Sequence, residues 1–217
     1  MLRIGIILLL TTVASYAELT LPALFTDGMV LQRDQKVPVW GWTDPGAEVT
    51  VSFAGQECTA KADADGKFMV RLKKMKASTN PQIITVSSGD DSVEIKNVLV
   101  GEVWLCSGQS NMQMSVKGSD NFEKEQAAAN YPLIRMFLTN QRATRELQKD
   151  CKGSWKVCTP DNVGAFSATA YFFGREIHKD LDVPVGLIRS CWGGTRIEAW
   201  SPMASLEKFP AVVEYKA

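Results

Sequence analysis

Two short stretches of this sequence hold residues whose types and spacing could carry out acyl transfer. The first is residues 105–112, Leu-Cys-Ser-Gly-Gln-Ser-Asn-Met, which follows an almost continuously apolar run. In open α/β sheets ligands bind beyond the carboxyl ends of the strands, so a polar loop directly after a buried strand is where chemistry collects. Gly108 allows a sharp turn, and two residues on Ser110 can present its hydroxyl with its own backbone N–H aimed at the same target. The arrangement is analogous to a nucleophile elbow, although the Gly-x-Ser-x-Gly pattern is absent. On spacing alone, a serine that only caps a βα loop fits equally well.

The second stretch is residues 190–200, Ser-Cys-Trp-Gly-Gly-Thr-Arg-Ile-Glu-Ala-Trp. Two successive glycines, Gly193 and Gly194, let backbone N–H groups approach a ligand closely. Thr195 and Glu198 have capping-box spacing, which predicts a helix start whose free N–H groups suit a developing negative charge. The functional reading is an oxyanion donor at Gly193 or Gly194. A glycine-rich helix entry with no ligand is the alternative. Together the two stretches offer a hydroxyl and backbone donors at one edge of a sheet, two parts of an acyl-transfer site. Gln109, Asn111 and Gln113 could bind substrate hydroxyls or tie the loops. Trp192 and Trp200 could stack on a sugar ring, whereas Trp104 reads as core. Arg196 could meet a substrate carboxylate or be simply solvated.

A serine hydroxyl is a weak nucleophile without an adjacent base. The one histidine, His178, falls on an expected helix beside the sheet, away from the loops at the strand ends, so it reads as a surface or boundary residue. The base therefore has to come from elsewhere.

The elements that position these loops follow from hydrophobic period. From residue 19 to about 98 the chain reads as short strands, at 37–42, 48–53, 58–61, 67–72, 83–87 and 93–98, with turn signals at Gly55-Gln56, Asp65-Gly66 and Gly89-Asp90-Asp91. Val49, Val51 and Phe53 alternate with Thr50 and Ser52, the period of a half-buried strand. This predicts a small antiparallel β-sandwich over 18–98, with Asp65-Gly66 as a hairpin tip and not a fragment of a calcium loop. Residues 98–105 then read as a strand buried on both faces, and residues 134–138 and 185–188 as further buried strands. Phe166, Ala170, Phe173, Ile177 and Leu181 form the apolar stripe of a helix capped by Ser167. A helix between buried strands predicts a βαβ unit, so residues 99–217 read as the opening of an α/β domain that holds too few strands to be complete.

The two loops and the lead-in resemble a known family. Residues 101–112, Gly-Glu-Val-Trp-Leu-Cys-Ser-Gly-Gln-Ser-Asn-Met, are similar to the nucleophile block of sialate O-acetylesterases, within the SGNH (GDSL-like) hydrolase superfamily. Residues 192–200 are similar to the glycine block, and residues 24–33 and 37–42 to the lead-in of that family. The resemblance implies an SGNH-type three-layer α/β/α domain, here its N-terminal part, preceded by the sandwich. It implies Ser110 as nucleophile, oxyanion donors from the Ser110 and Gly194 backbones, and release of acetate from O-acetylated sialic acid. An esterase for other acetylated glycans such as acetylxylan, or a truncated carbohydrate-binding chain without activity, are the competing expectations. The family's asparagine block and its late Asp-x-x-His block are not in the sequence and would lie beyond Ala217. The chain assayed alone is therefore expected to be inactive, since loss of a triad member costs on the order of 10⁴-fold.

Charge and composition narrow the remaining classes. Lysine plus arginine equals aspartate plus glutamate at 24 each, which argues against a nucleic-acid or anionic-membrane partner. Residues 1–17 have the positive start, short apolar run and small residues at Ser15 and Ala17 of a cleavable leader, too short to span a bilayer. A secreted, periplasmic or otherwise exported protein is expected, with no membrane contact after cleavage. Five cysteines without a Cys-x-x-Cys pair argue against zinc, and no metal or cofactor is expected. Cys151 and Cys158 are spaced to pair, with one thiol left over in any scheme.

Overall fold

The structure, a computed structural model, describes residues 18–144 and 146–209. The leader expected over residues 1–17 lies outside the described residues. None of the described helices is long and apolar enough to cross a membrane.

Among the described residues ten strands and five α-helices follow one another: β1 (Val30–Gln32), β2 (Val37–Trp42), β3 (Glu48–Phe53), β4 (Gln56–Lys61), β5 (Lys67–Leu72), β6 (Ser78–Ser88), β7 (Asp91–Gly108), α1 (Ser110–Gln113), α2 (Phe122–Ala128), β8 (Tyr131–Thr139), β9 (Gly153–Cys158), α3 (Pro160–Val163), α4 (Ala168–Leu181), β10 (Val185–Cys191) and α5 (Met203–Leu206). A large sheet runs in the order β4-β3-β6-β7-β10-β8-β9, with β1 alongside β7, and a second sheet pairs β2 with β5.

The N-terminal layers are built as the alternation predicts. Val49, Val51 and Phe53 of β3 face Val37, Val39, Phe68, Val70 and Leu72 of the β2–β5 pair, and all are buried in one cluster. Each such side chain taken out of water contributes about 1.5–3 kcal/mol. Gly89 and Asp90 close a hairpin between β6 and β7 in the register Ser88 to Asp91. The Asp65-Gly66 turn behaves differently from expectation. It is a tight turn, with the Asp63 carboxylate accepting from the Asp65 and Lys67 N–H groups at 3.0 and 2.9 Å. It does not close a hairpin, because β4 pairs with β3 while β5 crosses to the facing sheet and pairs with β2. The turn joins two layers instead of two neighbours.

β7 is the element that positions the site. Its first part pairs antiparallel with β6, Leu99 to Gly101 pair parallel with β1, and Glu102 to Gly108 pair parallel with β10. The expected boundary at residues 98 and 99 thus falls inside one strand of 18 residues, about 60 Å long at ~3.3 Å per residue. The expectation of burial on both faces from 98 to 105 holds only from Val98 to Gly101. Trp104 is 41% and Leu105 68% exposed, because β7 past Gly101 has a strand neighbour on one side only among the described residues. Trp104 is therefore not core; it meets Phe173 of α4 edge-on, 5.0 Å between ring centroids.

α4 lies between β8 and β10 in the chain, and these two strands pair parallel, the expected βαβ arrangement. Ser167 caps it, its hydroxyl accepting from the Ala170 N–H at 3.2 Å. The buried face is rotated from the expected stripe. Phe166, Ala170, Tyr171 and Gly174 are buried, while Phe173 and Leu181 are largely exposed. Gly174 sets this rotation: a methyl group there would lie 2.6 Å from Leu187 of β10. β9, which the sequence reading passed over, adds an antiparallel edge beyond β8. Its Trp155 donates to the Leu24 carbonyl at 2.8 Å and packs on Phe137, tying this edge to the N-terminal layers. Arg135 does the same from β8. It is buried and donates to the carbonyls of Pro132 and Gly28 and to the Asn97 side chain at 2.9, 3.2 and 3.1 Å. Burial lowers its pKa from the usual arginine value.

Candidate active site

β7 and β10 are parallel neighbours and end together, Gly108 opposite Cys191. The loops that follow, the nucleophile block and the glycine block, are therefore brought side by side. Gly108 turns the chain with φ +148°, and α1 begins at Ser110. The first N–H groups of a helix have no partner within it, so the Ser110 N–H is a free donor in helical terms. α1 is held on α4, where the Thr169 hydroxyl donates to the Asn111 carbonyl at 3.0 Å.

Two glutamines lock the blocks together. Gln109 donates its side-chain amide to the Thr195 carbonyl at 2.7 Å. Gln113 accepts the Gly193 N–H on its side-chain oxygen. Of the two roles open to these residues, this is the loop-tying one. The Trp192 N–H adds a bond to the Gly108 carbonyl at 3.2 Å. The approach is close: a methyl group on Gly193 would lie 2.8 Å from the Gln113 side-chain oxygen, which would have to move aside, and 3.4 Å from Ser110 Oγ. Gly194 has φ +77° and open space around it. With the Gly193 N–H engaged by Gln113, Gly194 is left as the glycine whose N–H can serve an oxyanion.

The expected capping box is not formed. Residues Ile197–Trp200 make a 3-10 turn with Arg196 as its N-cap residue and no capping side chain. The Thr195 hydroxyl instead donates to the Trp192 carbonyl at 2.6 Å and accepts from the Trp200 indole at 2.7 Å. The short turn supplies no helix dipole of consequence, so any oxyanion stabilisation falls to individual N–H groups. Arg196 is exposed at the start of that turn.

Ser110 lines a shallow depression of about 300 Å³ with Gln109 and Asn111. A larger cleft of about 940 Å³ lies between the segment 139–152 and residues Ser190 to Trp192, with Trp200 also in its wall. Cys106, four residues before Ser110, is not a rival nucleophile. Burial and the neighbouring Cys191 push its thiol up to about 11, so it stays protonated at neutral pH. All five cysteines are free, so the Cys151–Cys158 pairing is not made. His178 lies at the far end of the sheet: its ring is 2.8 Å from the Val183 carbonyl and edge-on to Tyr131, which starts β8. The seven residues of β10 put about 20 Å between that end and the Ser110 loop.

The profile of the family described as carbohydrate esterase, sialic acid-specific acetylesterase, matches residues 100–215. The mouse sialate O-acetylesterase is 36% identical over 198 residues, covering 82% of this chain and 37% of that protein. The human sialate O-acetylesterase is 36% identical over 199 residues, with 82% and 38% covered. A crystal structure of a carbohydrate acetylesterase from Xanthomonas citri superposes with a TM-score of 0.82 at 42% identity, covering 87% of this chain and 44% of that one. The chain spans less than half the length of these relatives.

Proposed function

The chain belongs to the sialic acid-specific acetylesterase family of carbohydrate esterases, and on that premise we propose that it is the N-terminal part of a serine esterase that removes O-acetyl groups from sialic acid. The observation that carries this reading is the juxtaposition of Ser110 Oγ with the glycine block, within contact distance of a methyl group placed on Gly193. Ser110 Oγ attacks the acetyl carbonyl carbon, and its proton passes to a histidine outside this sequence. The tetrahedral oxyanion rests on the N–H groups of Ser110 and Gly194. The sugar oxygen leaves with a proton, the acetyl group stays on Ser110 as an ester, and water then releases acetate. Residues 18–98 act as a supporting β-sandwich, residues 99–217 begin the hydrolase domain, and residues 1–17 are a leader for export. Acetylated glycans other than sialic acid, such as acetylxylan, are the second substrate class to assay.

A fluorophosphonate, which traps activated serines, tests the assignment. The complete protein should label at Ser110, and Ser110→Ala should lose both labelling and acetate release. Unchanged labelling and turnover in Ser110→Ala would remove Ser110 from the mechanism. Acetate release from O-acetylated sialic acid compared with acetylxylan ranks the substrates.

A further inference from the structure

We propose that the first turn of α4 sets the reach of the nucleophile, with Ser167 and Thr169 as positioning residues that act on Ser110 through α1. This rests on the reading of Ser110 as nucleophile. α1 is a single turn of four residues, Ser110–Gln113, with no capping side chain and no buried residue. The Gln113 and Met114 N–H groups donate to the Gln109 and Ser110 carbonyls, each at 2.9 Å, which is one turn of ladder. One helical turn is unfavourable by itself, since several torsions are fixed for each bond gained. The position of Ser110 is therefore decided by what α1 rests against.

Besides the two glutamines that reach the glycine block, α1 rests on α4, and the end of one helix completes the start of the other. The last carbonyls of a helix and its first N–H groups have no partner within it. The Asn111 carbonyl, left over in α1, accepts from the Thr169 hydroxyl at 3.0 Å. The Met114 carbonyl accepts at 2.8 Å from the Ala168 N–H, a left-over donor of α4. Ser167 is fully buried and uses its hydroxyl in both directions. It accepts from the Ala170 N–H at 3.2 Å as the cap of α4, and it donates to Met112 Sδ at 3.3 Å. Asn111 and Met112 are the two residues after Ser110, so a displacement of either is passed directly to the nucleophile.

The backbone secures the fold here independently of these hydroxyls. Ser115 bridges Ser167, and the Val116 and Lys117 N–H groups donate to the Phe166 and Gly164 carbonyls at 2.9 and 3.0 Å. Backbone pairing thus fixes which residues meet, and the Ser167 and Thr169 hydroxyls trim α1 within that register. Thr169 and Met112 also line the depression that holds Ser110. The Thr169 hydroxyl is committed to the Asn111 carbonyl, so its influence on Ser110 runs through that peptide. α4 in turn lies on Leu187 of β10, where Gly174 permits the contact, and β10 leads into the glycine block. One helix therefore serves as the common reference for the nucleophile and for the N–H groups that face it, which is what a reaction sensitive to fractions of an ångström requires.

Two substitutions test this in the complete protein. Thr169→Val keeps the shape of the side chain and removes its donor. Met112→Leu removes the sulfur that the Ser167 hydroxyl donates to and leaves the cap of α4 in place. Each should lower kcat for 4-nitrophenyl acetate, and the rate of fluorophosphonate labelling, by about 10-fold, the scale of a displacement by a fraction of an ångström. KM should stay within about twofold, because the loss falls on the transition state and not on substrate binding. Thr169→Ser, which restores the hydroxyl, should recover most of the rate. Wild-type rates in both Thr169→Val and Met112→Leu overturn the proposal. So does a rise in KM at constant kcat, which would make Thr169 a substrate contact, or a Thr169→Ser variant as slow as Thr169→Val. Ser110→Ala is measured in parallel. Its loss of labelling beside wild-type rates in the other variants rejects the positioning role and keeps the nucleophile; labelling retained in Ser110→Ala rejects the nucleophile and, with it, the positioning role.

Discussion

The Gly193 backbone N–H donates to the side-chain oxygen of Gln113 across 80 positions of sequence. With Gln109 holding the Thr195 carbonyl, two side chains from the nucleophile block fix the path of the glycine block. The bond also decides between two candidate oxyanion donors. A donor already satisfied by an amide oxygen has less to offer a developing charge than one left open, which favours the Gly194 N–H.

Gln113→Met keeps the volume of the side chain and removes its strong acceptor. In the complete protein it should slow fluorophosphonate labelling of Ser110 by about 10- to 100-fold, the usual effect of displacing a catalytic group by a fraction of an ångström to one ångström. Its thermal midpoint should fall by only a few degrees, since a single hydrogen bond contributes about 1 kcal/mol. A wild-type labelling rate would show that the clamp has no positioning role.

Gly193→Ala and Gly194→Ala should fail differently. At Gly193 the added methyl group displaces the Gln113 oxygen and touches Ser110 Oγ, so labelling slows while far-ultraviolet circular dichroism is unchanged. At Gly194 there is space, and the cost is a positive φ, about 1–2 kcal/mol for a residue with a side chain. Gly194→Ala should therefore lower the midpoint measurably and reduce turnover through a shifted donor. If Gly193→Ala labels normally, the close approach is not maintained in solution.

Arg135→Met should destabilise the protein by about 3 kcal/mol, because the carbonyls of Gly28 and Pro132 and the Asn97 side chain lose a shared donor in a buried place. For a chain of this length that is a fall of roughly 6–12 °C in thermal unfolding. A change of less than 2 °C would mean that water replaces the guanidinium.

Stability should decline on the alkaline side. Burial raises the Cys106 thiol to about 11 and the Cys158 thiol to about 12 from 9.0, and the Tyr171 hydroxyl to about 12 from 10.0. Each is held protonated in the fold, so the unfolded chain loses its proton first as pH rises. Their contribution is complete below about pH 9 and is lost progressively between pH 9 and 12. Denaturant midpoints measured from pH 8 to 11 should fall, and Cys158→Ala should flatten that slope even though it lowers the starting value. An unaltered slope would assign the decline to other groups.

What the sequence made legible is the part governed by local pattern. The alternation in β3, the turn at Gly89-Asp90, the Ser167 cap and the two polar loops at the ends of neighbouring parallel strands are all found where period and turn chemistry put them. What it concealed depends on partners distant in the chain. The Asp65-Gly66 turn has hairpin chemistry, yet which sheet β5 joins is settled by β2. Thr195 and Glu198 have the spacing of a cap, but the Thr195 hydroxyl is taken by Trp192 and Trp200. The face that α4 buries is turned by one small residue, Gly174, lying on Leu187.

The length of β7 has a mechanical corollary. One strand is shared by the sandwich and by the layer that ends in Ser110, so no hinge separates the two parts. Side chains alternate along a strand, and a slip of one residue anywhere in its pairing would turn every later side chain to the opposite face. The hairpin at Ser88 and Asp91 sets the phase of β7 as far as Ile95, and the register shift between Ile95 and Val98, where Asn97 has a positive φ of 58°, resets it before the chain arrives at its nucleophile. The scaffold and the reactive loop should melt as one cooperative unit, and slow amide exchange should appear on both sides of the shift at Asn97 in β7.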